Sequence, residues 1–136
     1  MERVGIVAMS QTKYEAAKAG LNFPEMVYSV IKPMLDELGI GIYDIDQAIT
    51  CCSDFWDGKT ISNVTIQDVV GAYLRPEAKV ASDGTQALFY GWLRVLSGAY
   101  DSALVVAHCK MSQSYPNQIQ WGAGDPFFMR PVGGSS

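Results

Sequence analysis

Apolar and polar positions alternate along the chain in blocks that predict strands separated by helices. Short apolar runs predict four strands, at residues 4–8, 45–51, 78–81 and 102–107. Apolar residues at helical spacing predict three helices, at residues 24–38, about 63–73 and 85–96. The resulting order β-α-β-α-β-α-β favours an α/β fold with a mostly parallel sheet and crossover helices.

Glycine, proline and short polar residues mark the ends of these helices. Gly39 is expected to end the first helix, and Pro33 within it is expected to kink or divide it. Asp83 is the expected N-cap of the last helix, with Gln86 as its capping-box partner, and Gly98 closes that helix. The helix face formed by Leu88, Trp92, Val95 and Leu96 is interpreted as core or as a dimer surface.

The last part of the chain has a different composition. Residues 113–136 are rich in glycine, proline, serine and aromatic residues without a clear period. We therefore expect an α/β core over residues 1–112 and a loop or extension over 113–136, whose Gly-Gly-Ser-Ser end resembles a truncation or a flexible tail.

Composition and charge narrow the classes of function. The chain has 136 residues, of which 49% are hydrophobic and 18% charged, as in globular proteins. Its net charge is −4 and its basic residues are scattered, which argues against nucleic acid or an anionic membrane as the main partner. No apolar run approaches the roughly 20 residues that span a bilayer, and Met1-Glu2-Arg3 leads directly into an apolar run, so no signal peptide is expected.

The cysteine content predicts a reducing compartment. The histidine and cysteine spacing argues against a zinc site in the protein. Cys51, Cys52 and Cys109 are an odd number with two adjacent, which is unlike a disulfide framework. A cytoplasmic location is the simplest expectation. One histidine and the absence of CxxC or HxxxH spacing argue against a zinc site built by the protein.

Several segments along the chain form a recognisable set. They are KVASDGTQA at residues 79–87, SGAYD at 97–101 and VVAHCKMS at 105–112, with VGI at 4–6, QTKY at 11–14, DPF at 125–127 and RP at 130–131. Together they resemble the N-terminal part of the thiolase superfamily, in its lipid-transfer (sterol-carrier-type) or archaeal-type branch. The resemblance covers nearly all of this chain and about the first third of a thiolase. It implies a thiolase-like N-terminal half of the fold.

The same resemblance places Ala81 where thiolases carry the cysteine that accepts the acyl group. Alanine cannot form a thioester, and the Asn-Glu-x-x-Ala and Gly-His-Pro-like motifs of the family's C-terminal half do not occur in this chain. Ser82, His108 and Cys109 are the remaining candidate reactive residues. For each, a structural role is favoured: a helix cap for Ser82, a core histidine for His108 and a strand-end thiol for Cys109.

The loop after the second predicted strand leaves two alternatives open. Phe55 and Trp56 are expected to line an acyl pocket or to pack against a second copy of the fold. Asp54 and Asp57 form a possible acid pair, although a role in turns is favoured. Cys51 and Cys52 are interpreted as core residues.

Two functions from different classes follow from the resemblance. The first is a thiolase-fold protein or fragment that acts as an acyl-CoA-associated subunit in an oligomer, without a covalently bound cofactor. Its partner is expected to be a second copy, a chain with the thiolase C-terminal half, or a small OB-fold acyl-CoA-binding subunit. The second is the N-terminal part of an enzyme that cleaves a carbon–carbon bond of an acyl-CoA by retro-aldol chemistry or transfers its acyl group, with catalytic residues outside this chain.

Overall fold

The computed structural model describes residues 3–54, 61–81 and 83–114. Two α-helices and three β-strands occur in this part of the chain: α1 (Phe23–Leu38), β1 (Gln47–Cys51), β2 (Glu77–Val80), α2 (Gly84–Leu96) and β3 (Ala103–Ala107). Short 3₁₀ turns lie at Ile42–Asp44, Asn63–Ile66 and Met111–Gln113.

The three strands form one parallel sheet in the order β2-β1-β3. Ile49 of β1 lies opposite Ala78 of β2 on one side and opposite Val105 of β3 on the other. Every residue of β1 is buried, as expected for the central strand of a sheet covered on both faces. The α/β class and the parallel sheet are therefore confirmed, and these three strands lie within two residues of their predicted positions.

Helices cover the two faces of the sheet and create two hydrophobic clusters. On one face, α1 and the segment after β1 pack against Ala48, Leu104 and Val106. On the other face, α2 places Ala87 against Ile49 and Cys51. Alternate residues of β1 and β3 thus point to opposite layers, which is the period-2 pattern of strands.

Helix α1 has strong signals at both ends. The Asn22 side chain accepts a hydrogen bond from the Glu25 N–H at 2.9 Å, and the Glu25 carboxylate accepts one from the Asn22 N–H at 2.8 Å, so the two form a capping box. Gly39 ends the helix at φ +68°, as predicted. Pro33 lies inside a continuous helix, so the expected division is wrong. Buried residues on both sides of it, including Ile31 and Leu35, hold the helix against the sheet.

The predicted strand at residues 4–8 is wrong for the described chain. These residues form no ladder, and Ile6 and Val7 are exposed. An apolar run adopts strand structure only where another strand supplies hydrogen-bond partners, and none of the three described strands pairs with it.

The predicted helix at residues 63–73 is also wrong. Only the 3₁₀ turn Asn63–Ile66 forms, and Gly71 then adopts φ +69° in a further turn. The β-branched residues Val64, Thr65, Ile66, Val69 and Val70 favour helix weakly. Burial of Ile66 and Val70 beneath α1 accounts for the apolar spacing that suggested a helix.

Candidate functional site

A pocket of about 510 Å³ lies at the carboxyl ends of β1 and β3, beside the first turn of α2. Its lining combines strand-end residues, the helix start and one residue of the turn after β3: Cys51, Cys52, Ser53, Asp83, Gly84, Ala107, His108, Cys109 and Met111. The described lining is mostly small or apolar, and Asp83, Cys109 and Met111 are exposed at its solvent side.

The order of the strands explains why a pocket forms there. The chain leaves β1 on the α1 face of the sheet to reach β2, and then crosses back over the other face through α2 to reach β3. β1 and β3 run in the same direction, and the first turn of α2 lies beside their carboxyl ends, so these ends meet at one edge of the sheet. Many α/β proteins bind ligands in a crevice outside the carboxyl ends of parallel strands.

Small residues bring α2 close to this crevice. Gly84, Ala87 and Gly91 lie three and four residues apart, so they share the face of α2 that meets the sheet. A Cβ atom at position 84 would lie 3.1 Å from Ala107 Cβ, and one at position 91 would lie 2.9 Å from Val105 Cγ2. The helix backbone thus approaches the sheet where larger side chains would keep it away.

Asp83 caps α2 as the sequence predicts. Its side chain accepts a hydrogen bond from the Gln86 N–H at 2.9 Å. A carboxylate at this end satisfies one of the free N–H groups and offsets the partial positive charge of the helix N-terminus. The first turn of α2 is therefore better suited to a neutral polar group than to a phosphate.

Ala81 follows β2, is exposed, and is not one of the residues that line the pocket. Ser82 lies outside the described residues, so its proposed capping or nucleophilic role stays a prediction. The cap observed in the described chain is Asp83, the next residue.

His108 and Cys109 follow β3 and both line the pocket. His108 is buried and packs edge-to-face on Phe23, with ring centroids 5.5 Å apart and an interplanar angle of 87°. Its backbone N–H donates to the Cys51 carbonyl at 2.9 Å and extends the β1–β3 pairing. Cys109 is exposed, whereas Cys51 and Cys52 are buried.

A partly buried ionic cluster lies beside β2, separate from the pocket lining. Lys79 pairs with the Asp54 carboxylate and lies 3.4 Å from the fully buried Ser62 hydroxyl. Burial of Asp54 acts to raise its pKa, but hydrogen bonds from Lys79 and Ser62 outweigh it, and the pKa is lowered. This pair ties the residues on either side of the 55–60 segment to β2.

Sequence reasoning missed this cluster because it paired Asp54 with Asp57. Asp57, Phe55 and Trp56 lie outside the described residues, so the acid pair and the aromatic loop stay predictions. The alternation of Glu77 and Lys79 on a short strand was the available signal, since it places both charged side chains on one face of β2. Glu77 accepts hydrogen bonds from Thr50, Asn63 and Gln67 on that face.

Two broader features of the described residues bear on function. Within residues 3–54, 61–81 and 83–114, no group of three or more histidine, cysteine or acidic residues is placed to hold a metal ion. Neither helix in this part of the chain is long and apolar enough to cross a membrane.

No protein-family model matches the chain, and no curated protein matches it.

Proposed function

We propose that this chain is a thiolase-fold, acyl-CoA-associated subunit of an oligomer that lacks the nucleophilic cysteine, and that its pocket holds the acyl-thioester end of the ligand. The observation that carries the proposal is the position of the pocket at the carboxyl ends of β1 and β3, against the start of α2. The segments that flank it, 79–87 and 105–112, are those that resemble the thiolase nucleophile region.

The size and lining of the pocket support this ligand. A volume of about 510 Å³ lies within the usual range for small-molecule sites, roughly 300 to 1,000 Å³. Ala107, Met111 and the strand-end cysteines offer apolar contacts to an acyl chain. Because Asp83 already occupies the helix N-terminus, the phosphates of CoA would stay outside the pocket and only the neutral thioester end would enter.

Ala81 excludes acyl transfer through a cysteine at position 81. Its methyl group cannot attack a thioester, so this position supplies no acyl-enzyme intermediate. The chain would therefore hold an acyl-CoA for another subunit or another step rather than exchange its acyl group through a cysteine at position 81.

Calorimetric titration of residues 1–136 with acetyl-CoA, a medium-chain acyl-CoA and free CoA tests the proposal. We expect saturable binding of the acyl-CoAs and weaker binding of CoA, because only the acyl-CoAs fill the pocket. Met111→Glu places a charge in the lining and should raise the dissociation constant at least roughly tenfold, equivalent to about 1.4 kcal/mol.

Met9→Glu is the matched control, since Met9 is exposed and does not line the pocket. It makes the same change in net charge and should bind acyl-CoA like the parent chain. Equal binding of CoA and acyl-CoA, or equal weakening by both variants, would refute the proposal. Circular dichroism of each variant would verify that it is folded.

A further inference from the structure

Asp83 carries the only carboxylate in the described lining of the pocket, and no lysine or arginine belongs to that lining. The residue is exposed at the solvent side. One of its carboxylate oxygens accepts the Gln86 N–H at 2.9 Å, and the other accepts no hydrogen bond from the described residues. His108 also lines the pocket but is buried against Phe23. A ligand in the pocket therefore meets one available anionic acceptor.

Small residues lie next to Asp83 in the lining. Gly84 follows it and has no side chain, and Ala107 at the end of β3 contributes a single methyl group. A Cβ atom at position 84 would lie 3.1 Å from Ala107 Cβ, so the start of the helix and the end of the strand are in contact. Neither residue is long enough to cover the Asp83 carboxylate, so an acyl group that packs on them comes within its reach.

The charge at this end of α2 is negative. A helix N-terminus carries a partial charge of about +0.5 and the carboxylate a full negative charge, so about −0.5 remains. Two lysines lie near the pocket in sequence, but neither lines it. Lys79 pairs with Asp54, and the Lys110 ammonium group donates to the Leu21 carbonyl. The mouth of the pocket thus attracts cationic groups and repels anionic ones.

We propose that Asp83 sets the class of acyl group that this site accepts: the pocket prefers acyl groups with a cationic amino end and discriminates against those that end in a carboxylate. An ammonium group donates to the available Asp83 oxygen, whereas a second carboxylate brings like charges together. Neutral acyl groups lie between these extremes. The inference deepens the proposed function and rests on it, because it requires the acyl end of the ligand to occupy this pocket.

The exposure of Asp83 limits the size of the effect. Ion pairs that are open to water are weak, because solvent and salt screen them. We therefore expect the dissociation constant to change about threefold for each unit of charge on the acyl group. An amino-bearing and a carboxylate-bearing acyl group should then differ about tenfold.

Calorimetric titration of residues 1–136 with two pairs of acyl-CoAs tests the inference. β-Alanyl-CoA and butyryl-CoA match in size, but only the first carries an ammonium group; malonyl-CoA and isovaleryl-CoA match in size, but only the first carries an acyl carboxylate. The CoA part is identical throughout, so its phosphates cancel in each comparison. We expect β-alanyl-CoA to bind about threefold more tightly than butyryl-CoA, and malonyl-CoA about threefold more weakly than isovaleryl-CoA.

Salt tests the same claim without a substitution. Raising the ionic strength from roughly 0.05 M to roughly 0.5 M screens charges at the mouth of the pocket, so both affinity ratios should move toward one. Ratios that do not change with salt would overturn the inference, since they would arise from shape and not from charge.

Asp83→Asn removes the charge and keeps a capping oxygen, so both ratios should fall to about one and the circular dichroism should match that of the parent. Asp68→Asn is the matched control, since Asp68 is exposed and does not line the pocket, and it should keep both ratios.

Two failures are distinguishable. Ratios near one in the parent chain, or ratios that survive Asp83→Asn, overturn the inference alone if the acyl-CoAs still bind more tightly than free CoA. If no acyl-CoA binds more tightly than free CoA, the proposed function is refuted and the inference with it.

Discussion

Gly91 of α2 packs directly against Val105 of β3, so closely that a Cβ atom at position 91 would lie 2.9 Å from Val105 Cγ2. The same Cβ would lie 3.2 Å from Ile49 Cδ1 on the central strand. Both neighbours are branched side chains on the side of the sheet that α2 covers, and they have little room to move. The position of α2, and hence of the pocket at its first turn, depends on this contact.

We predict that Gly91→Ala destabilises the protein despite the better helix propensity of alanine. Alanine gains about 1 kcal/mol within a helix, whereas overpacking costs about 1–3 kcal/mol, so the net loss should be at most about 2 kcal/mol. Urea unfolding measures it. The shorter of the two contacts is with Val105, so Val105→Ala should reduce the cost of Gly91→Ala in a double-mutant cycle. Additive effects in that cycle would contradict the contact.

Asp46 joins the amino ends of β1 and β3 and makes stability depend on pH. Its carboxylate accepts hydrogen bonds from the Asp101 N–H at 2.8 Å and the Ser102 N–H at 2.9 Å, and these lower its pKa. Because the pKa of Asp46 is lower in the folded state, its carboxylate contributes fully to the free energy of unfolding above the unfolded-state pKa of about 3.9. This contribution is lost as the pH falls through the folded-state pKa.

We therefore expect Asp46→Asn to be less stable than the parent near about pH 7 and by a smaller margin near about pH 3, because the contribution of a group with a lowered pKa declines below the unfolded-state value of about 3.9. Chemical unfolding at both pH values measures the difference. Glu37→Gln, which removes an exposed carboxylate on α1, is the control and should show little change at either pH. A stability deficit of Asp46→Asn that is the same at both pH values would show that the charge is not its cause.

The stability of Asp83 variants tests whether this side chain acts as the N-cap of α2. Asp83→Ala removes the hydrogen bond to the Gln86 N–H and should cost about 1 kcal/mol of stability. Asp83→Asn keeps a capping oxygen and should restore most of that stability. If both variants unfold like the parent, the carboxylate does not hold the first turn of α2.

Cysteine accessibility offers a chemical check of the pocket. Cys109 is exposed, and Cys51 and Cys52 are buried, so iodoacetamide should modify Cys109 first in the folded chain. Mass spectrometry of peptides identifies the site. Because Cys109 lines the pocket, acyl-CoA should lower the rate at which Cys109 is modified in the folded chain. In an unfolded sample, acyl-CoA should leave this rate unchanged. Equal rates with and without acyl-CoA would place the ligand elsewhere.

Structural elements are predicted best from the sequence where local signals and burial agree. Gly39 and Asp83 mark helix ends through their own backbone and side-chain chemistry, and both lie where they were expected. The apolar run of β1 matches a strand buried on both faces. The two helix ends depend on few long-range contacts, so their residue types are sufficient evidence.

Features that depend on neighbouring elements were harder to predict. Residues 4–8 have the composition of a strand but no described partner strand, and residues 63–73 have helical spacing because Ile66 and Val70 are buried under α1. Gly91 gave no signal by itself. Its spacing from Gly84 and Ala87 becomes informative only when α2 is known to lie on the sheet. The pocket likewise follows from strand order, which periodicity does not specify.

Heteronuclear NMR of the isotope-labelled chain during titration with acyl-CoA tests the central claim most directly. The account predicts the largest amide shift changes at the ends of the two strands and the start of α2, in residues 51–53, 83–84 and 107–109. Free CoA should produce smaller changes at the same positions. Saturable shifts confined to other parts of the chain, or no shifts at millimolar acyl-CoA, would contradict the claim that this pocket holds an acyl thioester.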